Sequence, residues 1–273
     1  MGAMHVMEFL LPVLGFLIGT VASMVGVGGG VFIVPLLTLF YGFSPSNAVG
    51  TSLATIVFTS LAATLNYSRQ NRIYYKTGLL LALTTVPGSL VGAYLTSIIE
   101  ERLLGLIFAI FLFFVAFRMI FKLNFSRRQR LAGETSEEII DSEDSLLRAK
   151  NKFSQGVALA FFAGISSGLL GIGGGSVMVP IMALALKMSM HITVATSMFT
   201  MVFTSTSGVV EHFRLNNVDL TYALLLVLGT IFGAQLGAYT SKKISGIGLR
   251  RIFGVVLILV SLRMIMKYGP ASF

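Results

Sequence analysis

Two clusters of glycine and hydroxyl residues carry the chemistry open to this chain. The first is Gly26-Val27-Gly28-Gly29-Gly30, followed downstream by Thr51-Ser52. The second is Gly171-Ile172-Gly173-Gly174-Gly175, followed by Thr196-Ser197. Each glycine cluster interrupts one apolar run and opens a shorter one, Val31 to Phe40 or Ser176 to Leu186. A helix that starts there has first amides without intrahelical partners, at the positive end of its dipole. Glycine lets a ligand approach that backbone closely, and the combination suits an anion. The neighbouring hydroxyls add donors, although only one of each adjacent pair can point fully at a ligand. The candidate substrate-binding residues are Gly28, Gly29, Gly30, Thr51, Ser52, Gly173, Gly174, Gly175, Thr196 and Ser197. Thr55, Thr59, Thr200 and Thr204 can line the same cavity.

Other chemistry fits poorly. Ser197 and His212 are 15 residues apart on or near one segment, about 22 Å along a helix, so an intramembrane serine–histidine enzyme is a weak alternative. The absence of cysteine removes thiolate metal sites and cysteine nucleophiles. There is no Gly-x-x-x-x-Gly-Lys-Ser/Thr loop for ATP. No catalytic residue, metal or cofactor is expected. His191 reads as a loop residue and His212 as a loop-edge residue, with a proton relay as the alternative for His212.

The elements that must position the clusters are membrane helices. Hydrophobic residues make up 55% of the 273 and charged residues 11%, against about 25% charged in soluble domains. Mean hydropathy is +0.87. Nearly charge-free stretches of bilayer-spanning length recur, so the expectation is an all-α, multi-pass protein of the cell membrane whose first apolar run is retained. The net charge of +9 sits in short loops and sets orientation rather than binding nucleic acid. In each half, a glycine-broken hairpin precedes three full segments. The halves span 6–121 and 153–268, and a mixed-charge linker, 122–152, joins them.

The second half repeats the first in register, because Gly171 follows Gly26 by 145 residues and Thr196 follows Thr51 by the same 145. Phe16 matches Phe161, Asn71 matches Asn216 and Arg118-Met119 matches Arg263-Met264 at that offset. Loop charges swap between halves. Arg69, Arg72 and Lys76 lie in the first loop of the first half, whereas Lys242, Lys243, Arg250 and Arg251 lie in the second loop of the second. Cytoplasmic loops hold the Lys/Arg excess, so the repeats are expected to be inverted, with a cytoplasmic linker. Inverted repeats with broken helices are a secondary-transporter construction. Gly88, Gly92, Gly233 and Gly237 read as helix-packing positions, and Arg118 and Arg263 as arginines snorkelling to the headgroups. The short run Val31 to Phe40, 10 residues, spans about 15 Å, so each break can reach mid-depth.

The doubled Gly-x-Gly-Gly-Gly with its following Val-Pro and Thr-Ser pair resembles the TauE/SafE sulfite exporter family over nearly the whole chain. That resemblance implies transport of small sulfur-containing anions such as sulfite, thiosulfate or organosulfonates, with the site at the residues named above. The second half has Ala195 where the first has Gly50, so the halves need not bind identically. An uncharged metabolite is the alternative substrate. The partners are then a small anion, the lipid bilayer and a proton as coupling ion, which the substrate itself could carry.

Overall fold

A computed structural model describes residues 8–121, 143, 150–241 and 247–269. All regular structure among them is helical. The helices are α1 (Leu11–Val25), α2 (Gly30–Phe40), α3 (Pro45–Arg69), α4 (Tyr75–Leu95), α5 (Glu101–Phe121) and α6 (Lys150–Leu170). They continue with α7 (Gly175–Ala185), α8 (Met190–Arg214), α9 (Leu220–Thr240) and α10 (Ile247–Tyr268). By length and composition α3, α4, α8 and α9 are long and apolar enough to cross a membrane. Large side chains such as Phe58, Leu83, Leu228 and Phe232 project outward from them. Of the linker, only Glu143 is described outside α6, and its carboxylate accepts a hydrogen bond from the Thr77 amide at 2.7 Å. The other charged residues of the linker before α6, and the basic residues Lys242 and Lys243, lie outside the described residues.

Local signals set the helix ends. Ser44 caps α3 ahead of Pro45, its side chain accepting from the Asn47 amide. Asp219 caps α9, accepting from the amides of Thr221 and Tyr222, which is the usual work of a short polar side chain at an N-cap. Asn71 and Asn216 both take left-handed backbone, at φ 52° and 56°, so the 145-residue register extends to the turns after α3 and α8.

Helix pairing crosses between the halves. α1 packs on α9, and α6 packs on α4. The contact faces are built from small residues four apart, which lie on one helix face. Side chains added at Gly229 and Gly233 would run into the backbone oxygens of Pro12 and Phe16, and at Gly237 into that of Thr20. In the other pair, Gly88 faces Phe161 and Gly92 faces Ile165 in the same way. Bare backbone thus meets backbone, the arrangement that lets membrane helices attract through dispersion and weak hydrogen bonds. α3 and α8 run through the centre against each other and carry the buried Thr and Ser residues.

Candidate functional site: two crossed glycine turns

Each glycine cluster forms a turn that ends one helix and begins the next. α1 stops at Gly26, whose φ is 80° and whose amide donates to the Ala22 carbonyl. Gly28 and Gly29 follow at φ 82° and 97°, and Gly173 and Gly174 at 69° and 80°. Side chains rarely tolerate that region. The first-turn residues Phe32 and Ile33 both donate to the Gly29 carbonyl, and Val177 and Met178 both donate to Gly174. Among the described residues, the amides of Gly28 to Val31 and of Gly173 to Ser176 donate to no protein group. Gly28 to Gly30 and Gly173 to Gly175 are all buried. Two sets of free donors therefore sit inside the protein, where an unmet donor is costly.

The two turns cross one another. The α-carbon of Gly30 lies so close to Gly171 and Ile172 that a methyl group would overlap their backbone. Gly175 stands in the same relation to Gly26 and Val27. The hydroxyl of Ser52 donates to the Gly171 carbonyl at 2.8 Å, and that of Ser197 is shared between the Gly26 carbonyl at 3.1 Å and the Val194 carbonyl of its own helix at 2.9 Å. The Asp219 amide donates to the Thr51 hydroxyl at 3.0 Å, and the Tyr74 amide donates to Thr196 at 3.1 Å. Every bond between the halves in this set has its counterpart 145 residues away. Both members of each Thr-Ser pair thus bridge to the other half, where one hydroxyl of each pair was expected to face a ligand. Thr55, Thr59, Thr200 and Thr204 donate back to carbonyls one turn earlier in their own helices.

Among the glycines, Gly28 and Gly173 face the middle. A side chain on Gly28 would come within 2.5 Å of the Met201 methyl and 3.3 Å of Ile56. One on Gly173 would come within 2.8 Å of Ile56. Ile56 and Met201 are themselves a register pair and fill the space between the turns. Gly29 and Gly174 point back at α1 and α6, towards Ile18 and Ser167 respectively. Sequence reasoning missed Ile56 and Met201. Their signal was their place one helical turn after Ser52 and Ser197.

His212 is a correction to the loop-edge reading. It is fully buried in α8, and its Nε2 is 2.9 Å from the Gly168 carbonyl oxygen. Its register partner Tyr67 donates to the Ser23 carbonyl at 2.8 Å, and Ser23 and Gly168 are 145 apart. The pair therefore pins the start of each glycine turn to the end of a central helix. His191 is also corrected, since it lies in the first turn of α8 and not in a loop.

Comparison with known proteins gives the family. The profile of the family described as sulfite exporter TauE/SafE matches residues 11–264. The chain belongs to the TauE/SafE family. It is 36% identical over 267 residues to the probable membrane transporter protein YunE of Bacillus subtilis, covering 94% of this chain and 96% of that one. A probable membrane transporter protein of Methanocaldococcus jannaschii is 27% identical over 272 residues, covering 94% and 95% of the two chains. No solved structure matches the chain significantly. This TauE/SafE member is therefore a membrane transporter and not an enzyme.

Proposed function

We propose that the chain is a secondary transporter of a small sulfur-containing oxyanion across the cell membrane, working by alternating access between two inverted repeats. The observation that carries this reading is the pair of crossed glycine turns with free, buried amides. Gly28, Gly29, Gly30, Gly173, Gly174 and Gly175 supply donors without supplying a fixed positive charge. An anion there is held by backbone dipoles, and its release does not require breaking an ion pair. Thr51, Ser52, Thr196 and Ser197 hold the two turns in register around it. The reciprocal bonds support the repeat reading, because each half makes on the other the contact that it receives, as expected of two repeats that rock against each other around one site. Displacement of Ile56 and Met201 opens room for the anion. Methionine is well suited to that movement, being flexible and polarizable.

The test is uptake into proteoliposomes from a panel of sulfite, thiosulfate, methanesulfonate, sulfate and an uncharged metabolite, with and without a pH gradient. Transport of a sulfur oxyanion is the expected result, and transport of the uncharged compound alone would overturn it. Inversion is tested separately. The chain has no cysteine, so single cysteines near Arg72 and near Lys243 are unique labels. Both should react from the cytoplasmic side, and labelling from opposite sides would reject the inverted arrangement.

A further inference from the structure

The two glycine turns share a backbone but not a lining. Ser167, Ser176 and Ser205 each carry a buried hydroxyl with no hydrogen-bond partner, and Ser167 and Ser205 are fully buried as residues. All three surround the second turn. A side chain on Gly173 would stand 3.3 Å from the Ser205 Oγ, and one on Gly174 would stand 3.8 Å from the Ser167 Oγ. Ser176 is the second residue of α7, directly after the turn. At the first turn the register counterparts are Ala22, Val31 and Ser60. Two have no hydroxyl, and Ser60 donates to the Val57 carbonyl at 3.0 Å.

A serine inside a helix ordinarily bonds the carbonyl one turn back, as Ser60 and Thr204 do here. Three nearby serines that do not are anomalous, because an unmet buried hydroxyl costs free energy. They come from α6, α7 and α8 and lie beside the turn whose amides Gly173 to Ser176 are free, Ser205 next to Gly173 and Ser167 next to Gly174.

We propose that the substrate anion is anchored on the second glycine turn alone, by the hydroxyls of Ser167, Ser176 and Ser205 together with the amides of residues 173–176. This rests on the transport reading above and narrows its anion site from both turns to the second. The lining is amides, which only donate, and hydroxyls, which can donate, with no carboxylate among them, so it takes a compact oxyanion with three or more acceptor oxygens. Two turns of equal backbone then act differently: the second holds the ligand, and the first closes over it through Gly28, Ile56 and Met201.

The experiment measures binding of sulfite, thiosulfate and methanesulfonate to the full chain in detergent by titration calorimetry, with melting temperature as a folding check. Ser167→Ala and Ser205→Ala should each weaken the best-bound anion by about 10- to 150-fold, the value of one hydrogen bond to a charged group, without lowering the melting temperature. Giving the second turn the first turn's lining, with Ser167→Ala and Ser176→Val together, should abolish measurable binding. Ser60→Ala and Ala22→Ser at the first turn should leave affinity within about two-fold, below the change expected for a ligand group. Wild-type binding that survives both serine variants would overturn the asymmetric site while leaving the transport reading intact. Equal losses from Ser60→Ala and Ser205→Ala would overturn it in favour of a shared site. A wild-type chain that binds none of the three anions would overturn both readings.

Discussion

The first and second glycine turns are the same object built twice, and they differ in ways that backbone geometry does not require. Both reverse the chain through three left-handed glycines, Gly26, Gly28 and Gly29 in the first and Gly171, Gly173 and Gly174 in the second. Both are locked by a serine from the opposite half. Yet the first is followed by a regular α-helix of 11 residues, whereas the second continues through Pro180 into a π-helical turn, Ile181–Ala185. Proline stands at the matched position in both helices, Pro35 and Pro180, so proline alone does not cause the π turn. Such turns often accompany functional sites. The second turn also has the free hydroxyls. The two turns share the lock, in which each half holds the other, and differ in the lining, where nothing ties the two sides together.

That division can be broken at its strongest point by adding a methyl where the turns cross. Gly30→Ala and Gly175→Ala place it against backbone of the other turn, which cannot rotate away. Each should cost about 3 kcal/mol or more, the upper end for overpacking, seen as a large fall in melting temperature in detergent. The losses should be alike. If only one variant is damaged, the crossing is not shared equally between the halves.

Removing the lock is the next smaller effect. Ser52→Ala leaves the Gly171 carbonyl without its hydroxyl donor, and Ser197→Ala does the same to Gly26. Each should destabilise by about 1–3 kcal/mol, the cost of stranding a buried polar group. A melting temperature unchanged in both, with affinity lost, would make these serines ligand groups and not ties. The smallest effect sharpens the comparison from the other side. Ser167→Ala removes a hydroxyl that bonds nothing, so stability should move by no more than about 0.5 kcal/mol, with a small gain favoured because an unmet group is lost. A clear destabilisation would show that this hydroxyl has a structural partner.

The helices and the glycine breaks were legible from the sequence because composition and spacing determine them locally. The run expected from Val31 to Phe40 is the helix Gly30–Phe40. The packing role of Gly88, Gly92, Gly233 and Gly237 was legible for the same reason, since a four-residue spacing of glycines defines a face. The direction of the Thr51, Ser52, Thr196 and Ser197 hydroxyls was not, because it depends on which carbonyls the other half brings near. Ile56 and Met201 were hidden too, since each is an ordinary apolar residue until the turns cross beside it. The divergent lining left a trace that was readable: at the 145-residue offset, Ala22 becomes Ser167 and Val31 becomes Ser176. The matches between the repeats mark the shared scaffold, and the mismatches mark where the two turns differ. His212 was misplaced because its polarity suggested a loop, whereas its alignment with the fully buried Tyr67 pointed inward.

The interlocked packing also sets the order in which the protein can be made. α1 has its backbone-to-backbone partner in α9, which begins 195 residues after α1 ends, from Val25 to Leu220. A ribosome adding about 5–20 residues per second needs roughly 10–40 s to supply that partner. Throughout that interval α1, with only 15 residues, presents its glycine face to lipid or to the insertion machinery. A nascent chain stalled before α9 is therefore an orphan that no amount of waiting repairs. Supplying residues 150–269 as a separate polypeptide should rescue it, because the missing surface comes from the other half and not from more time.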